Sequence, residues 1–197
     1  MTRALTAAAT LALAACASFA PARAAQSIAP MESAAGASCT AWAIAPSRWM
    51  TAKHCFTMGG VDGWAIGGTA VGVIAQDPAS DSALVSGPPG TPLSLSPTEP
   101  PLGAPVSTFG YGLGKRTLLI FPAVVSAQAD PWFADPEMIL TGANGMPGMS
   151  GGPVLWRGRV VGQVSGGGGP THVAHLVGSA VPWAALRAFA RVQGVGR

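Results

Sequence analysis

The sequence predicts an all-β fold in two halves, and three observations carry that prediction. Glycine (27) and proline (18) are abundant among the 197 residues, while only 10% are charged. A helical bundle would need many more Lys and Glu on its solvent faces. The apolar runs are short, of strand length, and punctuated by turn residues. Between Ser86 and Pro105 lie seven prolines with Ser and Gly, a stretch that cannot form central strands because proline lacks the ladder donor. It reads as the connection between the halves. With 49% hydrophobic residues the chain can build one substantial core, or two small ones sharing an interface.

The elements follow in order. After a short polar segment, Ser38 to Ile44 and Arg48 to Thr51 read as strands around a turn at Pro46. Ala52 to Phe56 reads as a helical turn, which puts His54 just beyond a strand. Trp64 to Ile74 alternates small and β-branched residues with glycines, as in a twisted hairpin. Asp77 to Ser80 form a polar turn leading into a short apolar strand ending at Val85. The second half resumes with strands over Val106 to Tyr111, Thr117 to Ser126 and Met138 to Thr141. Val154 to Trp156 and Arg159 to Ser165 form a hairpin around Arg157-Gly158. A last strand spans His175 to Val181. Pro182 then opens a helix over Trp183 to Val192, whose apolar residues Trp183, Leu186, Phe189 and Ala190 have helical spacing.

At the N-terminus, Arg3 precedes an uncharged Ala- and Leu-rich run from Ala4 to Ala20, followed by the small-x-small pattern Ala22-Arg23-Ala24. Residues 1–24 therefore read as an export signal, giving a periplasmic or secreted protein. The run is too short and Ala-rich for a membrane span, and no second apolar stretch of spanning length follows. Leu13-Ala14-Ala15-Cys16 resembles the bacterial lipoprotein processing box, which would tether the protein to the outer membrane through a lipid on Cys16. The competing reading leaves Cys16 inside a discarded signal, because the apolar character continues past it. Either way two cysteines remain, Cys39 and Cys55, and an even count in an exported protein argues for one disulfide. A zinc site using these with His54, or with His172 and His175, lacks a C-x-x-C or second Cys pair, so no metal is expected.

The formal charge of +3 comes from 11 scattered Lys and Arg, with no basic run and no aromatic platform. Nucleic acid is therefore excluded as an expected partner.

Two stretches almost a hundred residues apart carry the chemistry: Thr51-Ala52-Lys53-His54-Cys55 and Gly148-Met149-Ser150-Gly151-Gly152-Pro153. A serine hydroxyl is a weak nucleophile until a positioned imidazole takes its proton, so this pair points to acyl transfer. Between them lies Asp81-Ser82-Ala83-Leu84-Val85. These three segments resemble, in order, the Thr-Ala-x-His-Cys, Asp-x-Ala-Leu and Gly-x-Ser-Gly-Gly-Pro segments of the chymotrypsin and trypsin family, including its bacterial HtrA-like branch. Phe109-Gly110-Tyr111-Gly112 and Val164-Ser165-Gly166-Gly167 add to the likeness, which spans most of the mature chain.

The resemblance implies two antiparallel six-stranded β-barrels of chymotrypsin type with a short C-terminal helix. The first barrel would span residues 34–86, the connection 86–105, the second barrel 106–182 and the helix 183–192, within one protease domain over 25–197. It further implies Cys39 as the partner of Cys55, and a serine endopeptidase acting on peptide or protein substrates without a cofactor, as a monomer. Ser150 would attack the carbonyl, His54 would shuttle the proton and Asp81 would orient the imidazole. The amides of Gly148 and Ser150 would hold the oxyanion. Asp77 is the rival carboxylate, but Asp77-Pro78 more naturally starts a turn. The rival from another class is a protease-fold binding protein that no longer cuts.

Two departures stand out. Met149 occupies the place where digestive members carry an Asp that pairs with a newly cut N-terminus, so the oxyanion loop is expected to be competent without zymogen cleavage. Asn144 stands where trypsin-like members place the pocket Asp, which removes the usual counter-charge for Arg or Lys. Ser165, Gly166 and Gly167 are expected to line the pocket and pair with substrate backbone as an added strand.

Overall fold

A computed structural model describes residues 26–60, 63–114, 116–130, 137–143, 145–167 and 177–196. Among these residues, thirteen strands form two sheets and are accompanied by helices after the third strand and at the end of the chain. The first sheet has seven strands: β1 (Ile28–Ser33), β2 (Ser38–Ala45), β3 (Arg48–Thr51), β4 (Trp64–Ile66), β5 (Thr69–Ala70), β6 (Val73–Gln76) and β7 (Ala83–Ser86). Their order is β5-β4-β1-β2-β3-β7-β6, a half-barrel. The second sheet is a closed six-stranded barrel of β8 (Pro105–Gly110), β9 (Leu119–Asp130), β10 (Glu137–Thr141), β11 (Pro153–Trp156), β12 (Arg159–Gly167) and β13 (Val177–Pro182). Helix α1 (His54–Gly59) follows β3, and α2 (Trp183–Val192) closes the chain.

This is the chymotrypsin-like arrangement the motifs imply. Its first half is the more open of the two: the sheet ends at β5 and β6 without a ladder joining them. β1 was not legible in the sequence. Ile28–Ser33 contains Pro30 and reads as a polar leader, yet it pairs with β2 on one side and β4 on the other. Its buried residues Ile28 and Met31 supply the core face that justifies the strand.

The other elements lie close to their expected places. The β11–β12 hairpin turns at Arg157 and Gly158, both with positive φ (50° and 74°), as a tight two-residue hairpin requires. Between β7 and β8 the 87–104 stretch contributes no strand to either sheet, only an isolated bridge of Leu95 to Val160. It crosses the molecule, donating from Leu93 N to the Ala43 carbonyl (2.8 Å) and from Ser96 N to the Val160 carbonyl (2.8 Å). The terminal helix buries Leu186, Phe189 and Ala190, three of the four residues whose spacing predicted it.

Three apolar clusters organise the interior. One fills the first sheet around Trp49, Phe56 and Trp64. One fills the barrel around Met138, Leu140 and Val161. The third lies between the halves, where Trp42, Met50 and Leu84 meet Phe109, Leu155, Val181 and the helix residues Leu186 and Phe189. Because this seam is built from large side chains of both sheets, neither half can bury its inner face alone.

Cys39 in β2 and Cys55 in α1 form a disulfide with an S–S distance of 2.04 Å across 16 residues of sequence. It ties the helix that starts at His54 to the sheet. Replacing both cysteines by serine is expected to lower the unfolding free energy by roughly 3 kcal/mol, read as a lower urea midpoint with a steeper slope, because the unfolded chain without the cross-link exposes more surface.

Candidate active site

The sheet register brings the imidazole and carboxylate together. β3 and β7 are antiparallel neighbours with Thr51 opposite Ala83, so the end of β3 and the start of β7 share one edge of the sheet. His54 lies three residues beyond Thr51, and Asp81 two residues before Ala83. The backbone amide of His54 donates to Asp81 Oδ1 at 2.8 Å, and His54 Nδ1 lies 2.6 Å from Asp81 Oδ2. Two contacts between one imidazole residue and one carboxylate fix both the ring's position and its tilt, and leave Nε2 facing away from the carboxylate. The ring side chain is 30% exposed and the carboxylate 11%.

Asp77 is engaged elsewhere. Its carboxylate accepts from Ala79 N at 3.1 Å and from Ser80 Oγ at 2.5 Å, and its carbonyl accepts from Lys53 Nζ at 2.9 Å. It shapes the turn before Asp81 and does not meet His54.

Ser150 arrives from the barrel on the 146–152 loop, and that loop is held by the other half. Thr40, fully buried in β2, donates its amide to the Ser150 carbonyl (2.8 Å) and its hydroxyl to the Gly148 carbonyl (2.8 Å). The same hydroxyl accepts from Tyr111 N at 2.9 Å. Gly148 has φ of 95°, and a Cβ there would collide with the Tyr111 carbonyl. A Cβ on Gly151 would strike the Thr40 carbonyl, the Thr51 hydroxyl and the Ala52 amide. The residue after Ser150 thus packs on the strand end that leads to His54. Among the described residues, the Ser150 hydroxyl makes no hydrogen bond, to His54 or to any other group, and the amides of Gly148 and Ser150 donate to no acceptor.

Met149 is 1% exposed and packs in the barrel cluster with Met138, Leu140 and Ala143. Where an ion pair would otherwise anchor this residue, an apolar side chain in the core does so.

Two residues of β12 reach back across the seam. Gln163, fully buried, accepts from Trp42 Nε1 at 3.3 Å and donates from Nε2 to the carbonyls of Thr51 (2.9 Å) and Asp81 (3.2 Å). Ser165 Oγ donates to Asp81 Oδ2 at 3.0 Å and also lies 2.9 Å from Glu137 Oε1. A bulge between Val164 and Gly166 in the β12–β13 ladder coincides with Ser165; such irregularities commonly re-aim a side chain next to a site. Sequence reasoning assigned Ser165 to the substrate pocket from its place fifteen residues after Ser150; the contact of its side chain with Asp81 is an additional feature. Gln163, Thr40 and Glu137 carried no such signal, since their roles depend on contacts more than a hundred residues away or on a single oxygen.

Tyr111 also spans the halves, donating its phenol to the Ile28 carbonyl at 3.2 Å. Burial raises its pKa above the ordinary phenol value, which keeps that donor protonated. Of the expected pocket residues, Gly166 and Gly167 pair with Ser179 and Gly178 of β13. Asn144, His172 and His175 lie outside the described residues.

A sequence match to the trypsin-like peptidase domain covers residues 39–162, well over half of the chain. The chain belongs to that family. Its fold and family are those of a serine endopeptidase. No curated protein gives a significant match over the whole sequence. Among solved structures, the active form of the Rv3671c protease from M. tuberculosis is similar at a TM-score of 0.71 and 22% identity, covering 89% of this chain and 84% of its own. A serine endoprotease from Yersinia pestis gives 0.68 and 18%, covering 87% and 64%. The HtrA-type protease AlgW, solved with a tripeptide, gives 0.68 and 17%, covering 87% and 61%. The chain thus spans under two thirds of the latter two, and at these identities the likeness is one of fold.

Beside Thr40 and Tyr111, Gln163 is a buried polar tie between the halves. Gln163→Leu leaves one buried indole N–H and two buried carbonyls without that partner. It is expected to cost roughly 3 kcal/mol of stability, measured by urea denaturation followed through tryptophan fluorescence.

Proposed function

We propose that this protein is an exported serine endopeptidase that cleaves peptide bonds through His54, Asp81 and Ser150 by way of an acyl-enzyme. The observation that carries the reading is the doubly bonded His54–Asp81 pair, with Nδ1 and the backbone amide both on one carboxylate, at the edge where the Ser150 loop crosses the seam. In this mechanism, which follows a well-characterised template, His54 Nε2 takes the Ser150 proton as the hydroxyl attacks the carbonyl carbon. The imidazolium that forms is stabilised by Asp81, and its proton goes to the leaving amine as the C–N bond breaks. Water, deprotonated by the same imidazole, then cleaves the ester and returns the proton to Ser150. Catalytic hydrogen bonds commonly tighten only once substrate is bound, so the mechanism does not require the Ser150 hydroxyl to rest on Nε2 beforehand.

The amides of Gly148 and Ser150 are suited to the oxyanion, since neither is consumed by an internal acceptor. One such donor typically contributes about 3 to 4 kcal/mol to the transition state. Burial of Met149 supports a loop that is organised by folding alone, with no cleavage to release a new N-terminus. The sequence signal over 1–24 and the Cys39–Cys55 disulfide support export. Among the described residues, no helix is long and apolar enough to cross a membrane. Beyond its last β11 partner at Gln163, the β12 edge runs on to Gly167, which favours substrate adding as a strand there.

Two experiments test this reading. A fluorophosphonate probe should label the purified protein at Ser150, with labelling lost in Ser150→Ala and slowed about 10⁴-fold in Asp81→Asn. A non-cutting binding protein would not label, and slowing by Asp77→Asn in place of Asp81→Asn would reassign the carboxylate. Peptide-library profiling should show no preference for cleavage after Arg or Lys, because Asn144 offers no counter-charge; a dominant basic preference would contradict it.

A further inference from the structure

Ser165 offers one hydroxyl hydrogen to two carboxyl groups. Its Oγ lies 3.0 Å from Asp81 Oδ2 and 2.9 Å from Glu137 Oε1, so it can donate to only one of them at a time. The two acceptors are unequally supplied. Asp81 already receives two hydrogens from His54, one on each oxygen. Glu137, the first residue of β10, has its other oxygen, Oε2, buried with no hydrogen-bond partner among the described residues. A buried acceptor with no other donor competes strongly for the shared hydrogen.

We propose that Glu137 is a positioning residue that acts on His54 through Ser165 and Asp81, by drawing the Ser165 hydrogen away from Asp81 and so concentrating the Asp81 charge on the imidazole. Its value for catalysis rests on the triad reading above: a better-compensated imidazolium lowers the cost of proton transfer from Ser150. Among the described residues, the other charged groups on this edge are Lys53 and Asp77. Lys53 is committed to the Asp77 carbonyl and the Asp77 carboxylate to its own turn. Across the β9–β10 ladder, the register partner of Glu137 is Asp130.

The test reads the His54 ring directly by NMR titration, with its resonance assigned by loss in His54→Ala. Glu137→Gln keeps the shape but removes the charge, and its amide N–H donates to Ser165 Oγ, turning the serine hydrogen onto Asp81. The imidazolium then loses stabilisation, so the titration midpoint of His54 should fall by at least about 0.5 pH unit. Glu137→Ala should move it in the same direction, so either folded variant suffices. In a Ser165→Ala background the effect of Glu137→Gln should shrink to less than half. An unchanged midpoint in Glu137→Gln, or an equal shift with and without the Ser165 hydroxyl, would overturn the proposal. Because the readout needs no turnover, absence of fluorophosphonate labelling in the parent protein would sink the protease reading and leave this measurement intact.

Discussion

The constraint on which the rest depends is a carboxylate taken out of water. Asp81 is 8% exposed, and an ionised group so buried is tolerated only when its lone pairs are met by donors with good geometry. His54 of the first sheet supplies two of them, and the barrel places the Ser165 hydroxyl, shared with Glu137, 3.0 Å from one carboxylate oxygen. The surroundings of the carboxylate are therefore complete only when the halves are docked in one register. The apolar seam of Trp42, Met50, Phe109 and Leu155 supplies the driving force for that docking. Gln163 and Thr40 supply its direction, because their hydrogen bonds are met in only one alignment.

A division of labour follows. The first sheet fixes His54, through the β3–β7 register and the disulfide at α1. The barrel brings the Ser150 loop, but the loop's carbonyls are pinned by Thr40 of the opposite sheet. Neither half holds this arrangement alone. Met149 fixes the same loop through burial in the barrel core, a contact that involves no charge.

Much of this was legible in the sequence because short-range rules govern it. Turn residues at Arg157-Gly158, the proline stretch after Ser86 and the helical spacing after Pro182 each set local backbone geometry, and the corresponding elements are present. The motifs around His54, Asp81 and Ser150 were readable as a set, since each is a run of consecutive residues. β1 escaped because its justification is tertiary: with Pro30 in its middle, Ile28–Ser33 becomes a strand through pairing on both edges. Gln163, Thr40 and Glu137 escaped for a related reason. Each is an ordinary residue in an ordinary strand whose role arises from partners 28 to 121 positions away. No local pattern encodes such a partner.

The close packing of the 148–151 backbone against Tyr111, Thr40 and Thr51 also has a corollary for substitution. Where main chain touches main chain an added side chain has nowhere to go, so a substitution at 148 or 151 must displace the loop or its neighbours. Gly166 of β12 is roomier, since a Cβ there would meet only the Ser179 hydroxyl, at 3.5 Å. Side chains can thus be exchanged on that strand while the 148–151 backbone keeps its shape.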